Sequence, residues 1–221
     1  MNKLFKVTTI FTLFLFYCQN SLAQTFSTST LPQNEREEGI MFDFKANQNL
    51  MLNGIQAILD DRNAAFEFDI FYKVGSHVGF ENSSAGWTFL ANTGTITSDA
   101  GGNLTTLPLG GATLNLTNGV TYAFYLENKI NSSDFALNKD FTVGTVVTSN
   151  SIGTLFAGVG LDGNGTTFTG IDESDRTFIG TLSFTPLPAE SIPTMSQWGS
   201  LIFGLLILNL SVFYVQRREL I

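Results

Sequence analysis

Phe66-Glu67-Phe68-Asp69-Ile70-Phe71-Tyr72-Lys73-Val74 alternates apolar and acidic side chains. Phe66, Phe68 and Ile70 fall on one face and Glu67 and Asp69 on the other, the pattern of a strand with one side buried. Val120-Thr121-Tyr122-Ala123-Phe124-Tyr125-Leu126 is a second such segment, rich in the aromatics that suit a pleated surface. Working outward, Ile40–Phe44, Met51–Ile58, Trp87–Leu90, Thr93–Thr97, Thr142–Thr148 and Thr177–Phe184 read as further strands. Gly-Gly, Asp-Gly, Asn-Gly and Ser-Ser clusters separate them, as turns require. Only Leu50–Arg62 is ambiguous enough to hold a helical turn. Short strands at spacings of about 8–12 residues predict an all-β fold, an antiparallel β-sandwich of jelly-roll-like type.

The ends of the chain read differently. Lys3 and Lys6, the apolar run Ile10–Tyr17 and the small-residue close Ser21-Leu22-Ala23 follow the order of a secretory signal peptide, with cleavage expected between Ala23 and Gln24. The apolar run is about half the ~20 residues of a membrane-spanning helix. Cys18, the single cysteine, lies inside this leader, preceded by Phe16 and Tyr17 rather than the small residues that a lipid-attachment signal wants. At the other end, Trp198–Val215 comprises 18 residues, about 27 Å of helix at ~1.5 Å per residue against a hydrocarbon layer of ~30 Å. Trp198 and Tyr214 suit the two interfaces, and Arg217 and Arg218 set the C-terminus in the cytoplasm. The expected organisation is a signal peptide over 1–23, a linker over 24–38, a sandwich over 39–185 and a second linker over 186–191. A tail over 192–221 then carries a motif, a transmembrane helix and a basic end.

That tail, Ile192-Pro193-Thr194-Met195-Ser196-Gln197-Trp198-Gly199 followed by a short helix and Arg217-Arg218, resembles the IPTLxxWG variant of the bacterial PEP-CTERM sorting tails. Met195 stands where the family usually has Leu. The resemblance covers about residues 191–219. It implies recognition and cutting by an exosortase-type transpeptidase, with Ile192, Pro193, Thr194, Trp198 and Gly199 as the motif and the Arg pair as the stop. It also implies a host that makes extracellular polysaccharide. A permanent membrane anchor is the alternative. The runs from Phe71 to Phe80, Gly86 to Leu90, Leu107 to Leu109 and Gly119 to Tyr125 are similar to structural or adhesive β-sandwich modules of bacterial surface proteins.

Residues 24–191 carry 18 Asp and Glu against 7 Lys and Arg, a net charge of −11. Such a domain repels nucleic acid, which is not an expected partner. His77 is the sole histidine and sits in Gly75-Ser76-His77-Val78-Gly79, a loop expected to face solvent. One His and no Cys beyond the leader cannot build a zinc site. Paired acids are the minimum of a glycosidase, and Glu67, Asp69, Glu81 and Glu127 qualify by type, but acids on the polar face of a strand are expected to be solvated. No enzyme and no cofactor is therefore expected. Calcium is the one cation considered: Asp162, Asn164, Asp172 and Asp175 form an oxygen-rich stretch that reads either as a loop for a hard cation or as hairpin turns. Trp87, Tyr72 and Tyr125 read either as core or as a platform for sugar rings. The sequence thus predicts an exported protein, first membrane-anchored and then at the cell surface or outside the cell. Its sandwich is expected to be structural or adhesive, or alternatively a carbohydrate-binding module for extracellular polysaccharide, with or without calcium.

Overall fold

The computed structural model describes residues 22–60, 62–100, 102–130, 135–161, 168, 171–188, 199, 202–207 and 209. Among these, the chain forms sixteen strands and pairs every one of them antiparallel. They are β1 (Gln24–Ser27), β2 (Glu35–Glu37), β3 (Gly39–Ala46), β4 (Leu50–Ile58), β5 (Ala65–Phe66), β6 (Phe68–Val74), β7 (Thr88–Asn92) and β8 (Ile96–Thr97). After these come β9 (Leu104–Leu107), β10 (Leu114–Leu116), β11 (Thr121–Asn128), β12 (Phe135–Asn138), β13 (Val146–Ser149), β14 (Gly153–Leu161), β15 (Ile171–Phe178) and β16 (Gly180–Pro186).

Two sheets share one core. The smaller runs β1-β16-β4, and β10 and β9 follow one another along the free flank of β4. The larger runs β2-β12-β15-β14-β3-β11-β6-β7, with β13 beside β14. Phe42 and Phe44 of β3 point between the sheets. Phe42 stacks on Phe178 at 4.6 Å and on Phe124 at 5.5 Å, while Phe44 meets Phe26 and Phe184 from the opposite sheet at 5.1 and 5.3 Å. Rings at these separations and offsets add to the plain burial of their surface. The expected alternation of Phe66, Phe68 and Ile70 holds, and all three are buried. At Glu67, however, the chain changes partners: β5 pairs with β8 in a separate ribbon and β6 pairs with β11.

Three expectations are corrected here. Residues 24–38 are not a linker. They supply β1, whose Phe26 is in the core, and β2 at the rim of the larger sheet. Leu50–Ile58 is strand throughout, without a helical turn. Thr177–Phe184 is not one strand but a corner, where the chain leaves the larger sheet after Phe178 and enters the smaller at Gly180. A Cβ at Gly180 would sit 2.2 Å from both the Gln56 carbonyl oxygen and the Phe178 ring, so only glycine fits. Thr28 fastens the corner: its hydroxyl donates to the Phe178 carbonyl at 2.7 Å and accepts from the Gly180 amide at 3.1 Å.

Residues 188–221 form a unit of their own, of which residues 202–207 are helical and exposed. Among the described residues no helix is long and apolar enough to cross a membrane. The expected span Trp198–Val215 falls largely outside them, as do the signal segment 1–21, Ile192, Pro193, Thr194, Arg217 and Arg218.

Candidate functional site

The outward face of the larger sheet is not the solvated polar surface that the alternation predicts. Two of its inner strands are buried on both sides: Met41 and Asp43 of β3 and Tyr125 and Glu127 of β11 are buried along with the Phe residues that point inward. Part of the cover is the connection between β6 and β7, residues 75–87. Gly75, Gly79 and Gly86 take positive φ there, which lets the loop turn back over the sheet.

His77 anchors this loop. Far from facing solvent, it is 0% exposed. Its Nδ1 lies 2.8 Å from Asp43 Oδ1, and its backbone N–H donates to the same oxygen at 2.9 Å. The Ser76 hydroxyl donates to Asp43 Oδ2 at 2.5 Å. Asp43, itself 5% exposed, therefore accepts three hydrogen bonds from two consecutive loop residues. A buried carboxylate needs that much compensation for lost hydration. As an acceptor, Asp43 holds the proton of His77 on Nδ1. The order of the three groups is Ser–Asp–His. A nucleophilic serine needs the imidazole next to its hydroxyl, and here the carboxylate lies between them. The signal missed in the sequence was Asp43 itself, an acid among Met41, Phe42 and Phe44.

Beside this anchor lies an aromatic cluster. Phe71 stacks on Tyr125 at 5.7 Å and meets Phe89 edge-on at 5.5 Å, and Trp87 meets Tyr125 edge-on at 6.0 Å. Phe168 covers all three of Phe71, Trp87 and Tyr125 at 5.2–5.8 Å, with a φ of 58°. The indole N–H of Trp87 donates to the Phe80 carbonyl at 3.2 Å. The three aromatics singled out from sequence are thus divided. Trp87 and Tyr125 meet on the outward face, Tyr125 fully buried and Trp87 partly so, while Tyr72 packs against the main core on the inward face. Phe71 and Phe168 take the place expected for Tyr72, and Phe89, at 54% exposed, is the ring that reaches solvent.

Next to the rings is a polar group. Asp69 of β6 stands opposite Glu127 of β11. Lys129 Nζ lies 3.6 Å from Asp69 Oδ2 and 3.8 Å from Glu127 Oε2. Asn92 donates through Nδ2 to Asp69 Oδ1 at 2.7 Å and to Glu67 Oε1 at 3.1 Å. Glu127 is only 1% exposed, so the expectation that the strand-face acids are solvated fails for it. Burial pushes the Tyr125 hydroxyl well above the ordinary tyrosine pKa, and the adjacent Glu127 charge adds to the effect.

Of the calcium candidates, Asp162 and Asn164 and the side chain of Asp172 lie outside the described residues. Asp175 accepts from the Val143 amide at 2.8 Å with a φ of 73°. Among the described residues no three metal-ligating side chains gather at one point. Ala23 is exposed and directly precedes β1, and Gly199 is helical and exposed. No family model matches the chain, and no curated protein is significantly similar to it.

Proposed function

We propose that this chain is an exported bacterial surface protein. In this reading its jelly-roll-like sandwich does structural or adhesive work without catalysis, and its tail is read by an exosortase-type transpeptidase. One observation carries the reading. The folded sandwich begins with β1 at Gln24 and ends with β16 at Pro186. The first strand thus starts at the residue after the proposed cut, in a stretch expected to be a linker, and the last strand ends before Ile192-Pro193-Thr194, which is compatible with processing at both sites. A signal that must be cut and a motif that must enter a membrane enzyme are useful only outside the packed domain. On this account the protein is held in the membrane by its tail, with Arg217 and Arg218 in the cytoplasm, before transfer to the cell surface or matrix. Nucleic acid is not a partner in this reading.

Comparing the mature protein from its native host with a Pro193→Ala, Trp198→Ala variant tests this. A wild-type chain that ends near Thr194, beside a longer, membrane-retained variant, is the expected result. A mature chain that still carries Arg217 and Arg218 overturns the sorting account and leaves a permanent anchor.

A second reading, binding of extracellular polysaccharide, is favoured by Phe89. A half-exposed ring backed by Phe71 offers an apolar surface to a sugar face.

A further inference from the structure

We propose that Lys129 and Asp69 become joined by an intramolecular amide bond, with Glu127 relaying the protons. The two residues lie on neighbouring strands held in fixed register: Glu127 faces Asp69, and the Lys129 amide donates to the Glu67 carbonyl at 2.7 Å. Lys129 Nζ is 3.6 Å from Asp69 Oδ2 and 3.8 Å from Glu127 Oε2. The amine stands between two carboxyl groups, with the oxygen that would leave Asp69 on its own side.

The other groups have the placement such a reaction needs. Asn92 Nδ2 donates at 2.7 Å to Asp69 Oδ1, the oxygen that gathers charge as the amine adds and that remains as the amide carbonyl. Glu67 accepts from the same Nδ2 at 3.1 Å, and Asn92 Oδ1 accepts from the Gly94 amide at 2.8 Å, so the donor is oriented before reaction. Oδ2, on the side of Lys129, is the oxygen that leaves. Glu127, 1% exposed and beside the buried Tyr125 hydroxyl, is screened from bulk water.

The balance closes without a co-reactant. The Nζ–Cγ bond forms and the Cγ–Oδ2 bond breaks. Two protons of the ammonium pass by way of Glu127 to Oδ2, which departs as water. Nothing is oxidised or reduced. A link of this kind ties β6 to β11 through side chains in a protein whose single cysteine excludes an intrachain disulfide. It is independent of the export reading and stands or falls without it.

Tryptic peptide mapping of the full-length chain tests the proposal. The expected product is a branched peptide pair joining Asp69 to Lys129, lighter than its two components by one water, with no cleavage after Lys129. Lys129→Arg and Glu127→Gln are expected to give linear peptides, and the Lys129→Arg chain to melt several degrees lower. Wild-type peptides that are wholly linear, with normal cleavage after Lys129, overturn the proposal. So does a branched pair lighter by ammonia, which assigns the bond to an asparagine instead. Both outcomes are read on the wild-type chain, so neither depends on a variant that folds.

Discussion

Asp43 Oδ1 and His77 Nδ1, 34 residues apart in the chain, meet at 2.8 Å in a site almost closed to solvent. Removing the carboxylate leaves the His77 amide, the His77 ring and the Ser76 hydroxyl without their acceptor. Asp43→Ala is therefore expected to cost about 2–4 kcal/mol. Urea unfolding measures the loss. Limited proteolysis is expected to open residues 76–86 in the variant before the rest of the sandwich unfolds, because the loop loses its anchor while the main core is untouched.

Gly180→Ala tests the corner between the sheets. The added methyl meets the Gln56 carbonyl and the Phe178 ring at 2.2 Å, and backbone cannot step aside as a flexible side chain can. The expected loss is at the upper end of overpacking, about 3 kcal/mol or more. Thermal unfolding reads it. A variant as stable as wild type would show that the corner is looser than described.

Phe42→Ala and Phe89→Ala separate core from surface. Phe42 is fully buried and stacked on Phe178 and Phe124, and its truncation is expected to cost about 3–5 kcal/mol. Phe89 is 54% exposed, and its loss should change stability by no more than about 1 kcal/mol. If the second functional reading holds, Phe89→Ala lowers retention on extracellular polysaccharide while melting as wild type does. Equal retention by both proteins removes that reading.

Stability should fall at both ends of the pH scale, for different reasons. The Lys139 ammonium, bonded to Glu35 at 2.9 Å, holds that carboxyl below the usual range. A folded-state pKa below the unfolded one means stability that is present above the unfolded pKa and lost as pH falls through the folded one. Lys139→Ala should soften this acid limb. Tyr125 is the reverse case. Its folded pKa is raised, so its contribution is intact below the unfolded value of about 10 and is lost as pH climbs beyond it. Melting temperature followed through alkaline pH, with Tyr125→Phe as the comparison, checks this. The variant should lack the part of the decline that tyrosine ionisation causes.

Much of the fold was legible because long strands declare themselves. β6 and β11 each run for at least seven residues, enough for the alternation of Phe68 and Ile70 against Asp69, or of Phe124 against Tyr125, to be recognised. β2, β10 and β12 have three or four residues, too few to repeat a pattern, and they exist because a neighbouring strand offers them hydrogen-bond partners. The candidate site was read less well. Tyr72, Trp87 and Tyr125 were of the right residue type, yet Tyr72 shares its face with Phe68 and Ile70 and so had to point inward. His77 was misjudged because its flanking glycines describe only the local turn, and the acid that buries it comes from another strand.

The sequence by itself determined an acidic, antiparallel, all-β protein: side-chain alternation and turn chemistry act over a few residues, and so can be read locally. Only the tertiary structure decided that the outward face of the larger sheet would be covered, that Asp43 would take up His77, and that Lys129 would stand between Asp69 and Glu127. Each of those juxtapositions depends on which strands become neighbours and in what register. That choice is made by the whole set of inward-facing Phe and Leu residues packing together, not by any one segment.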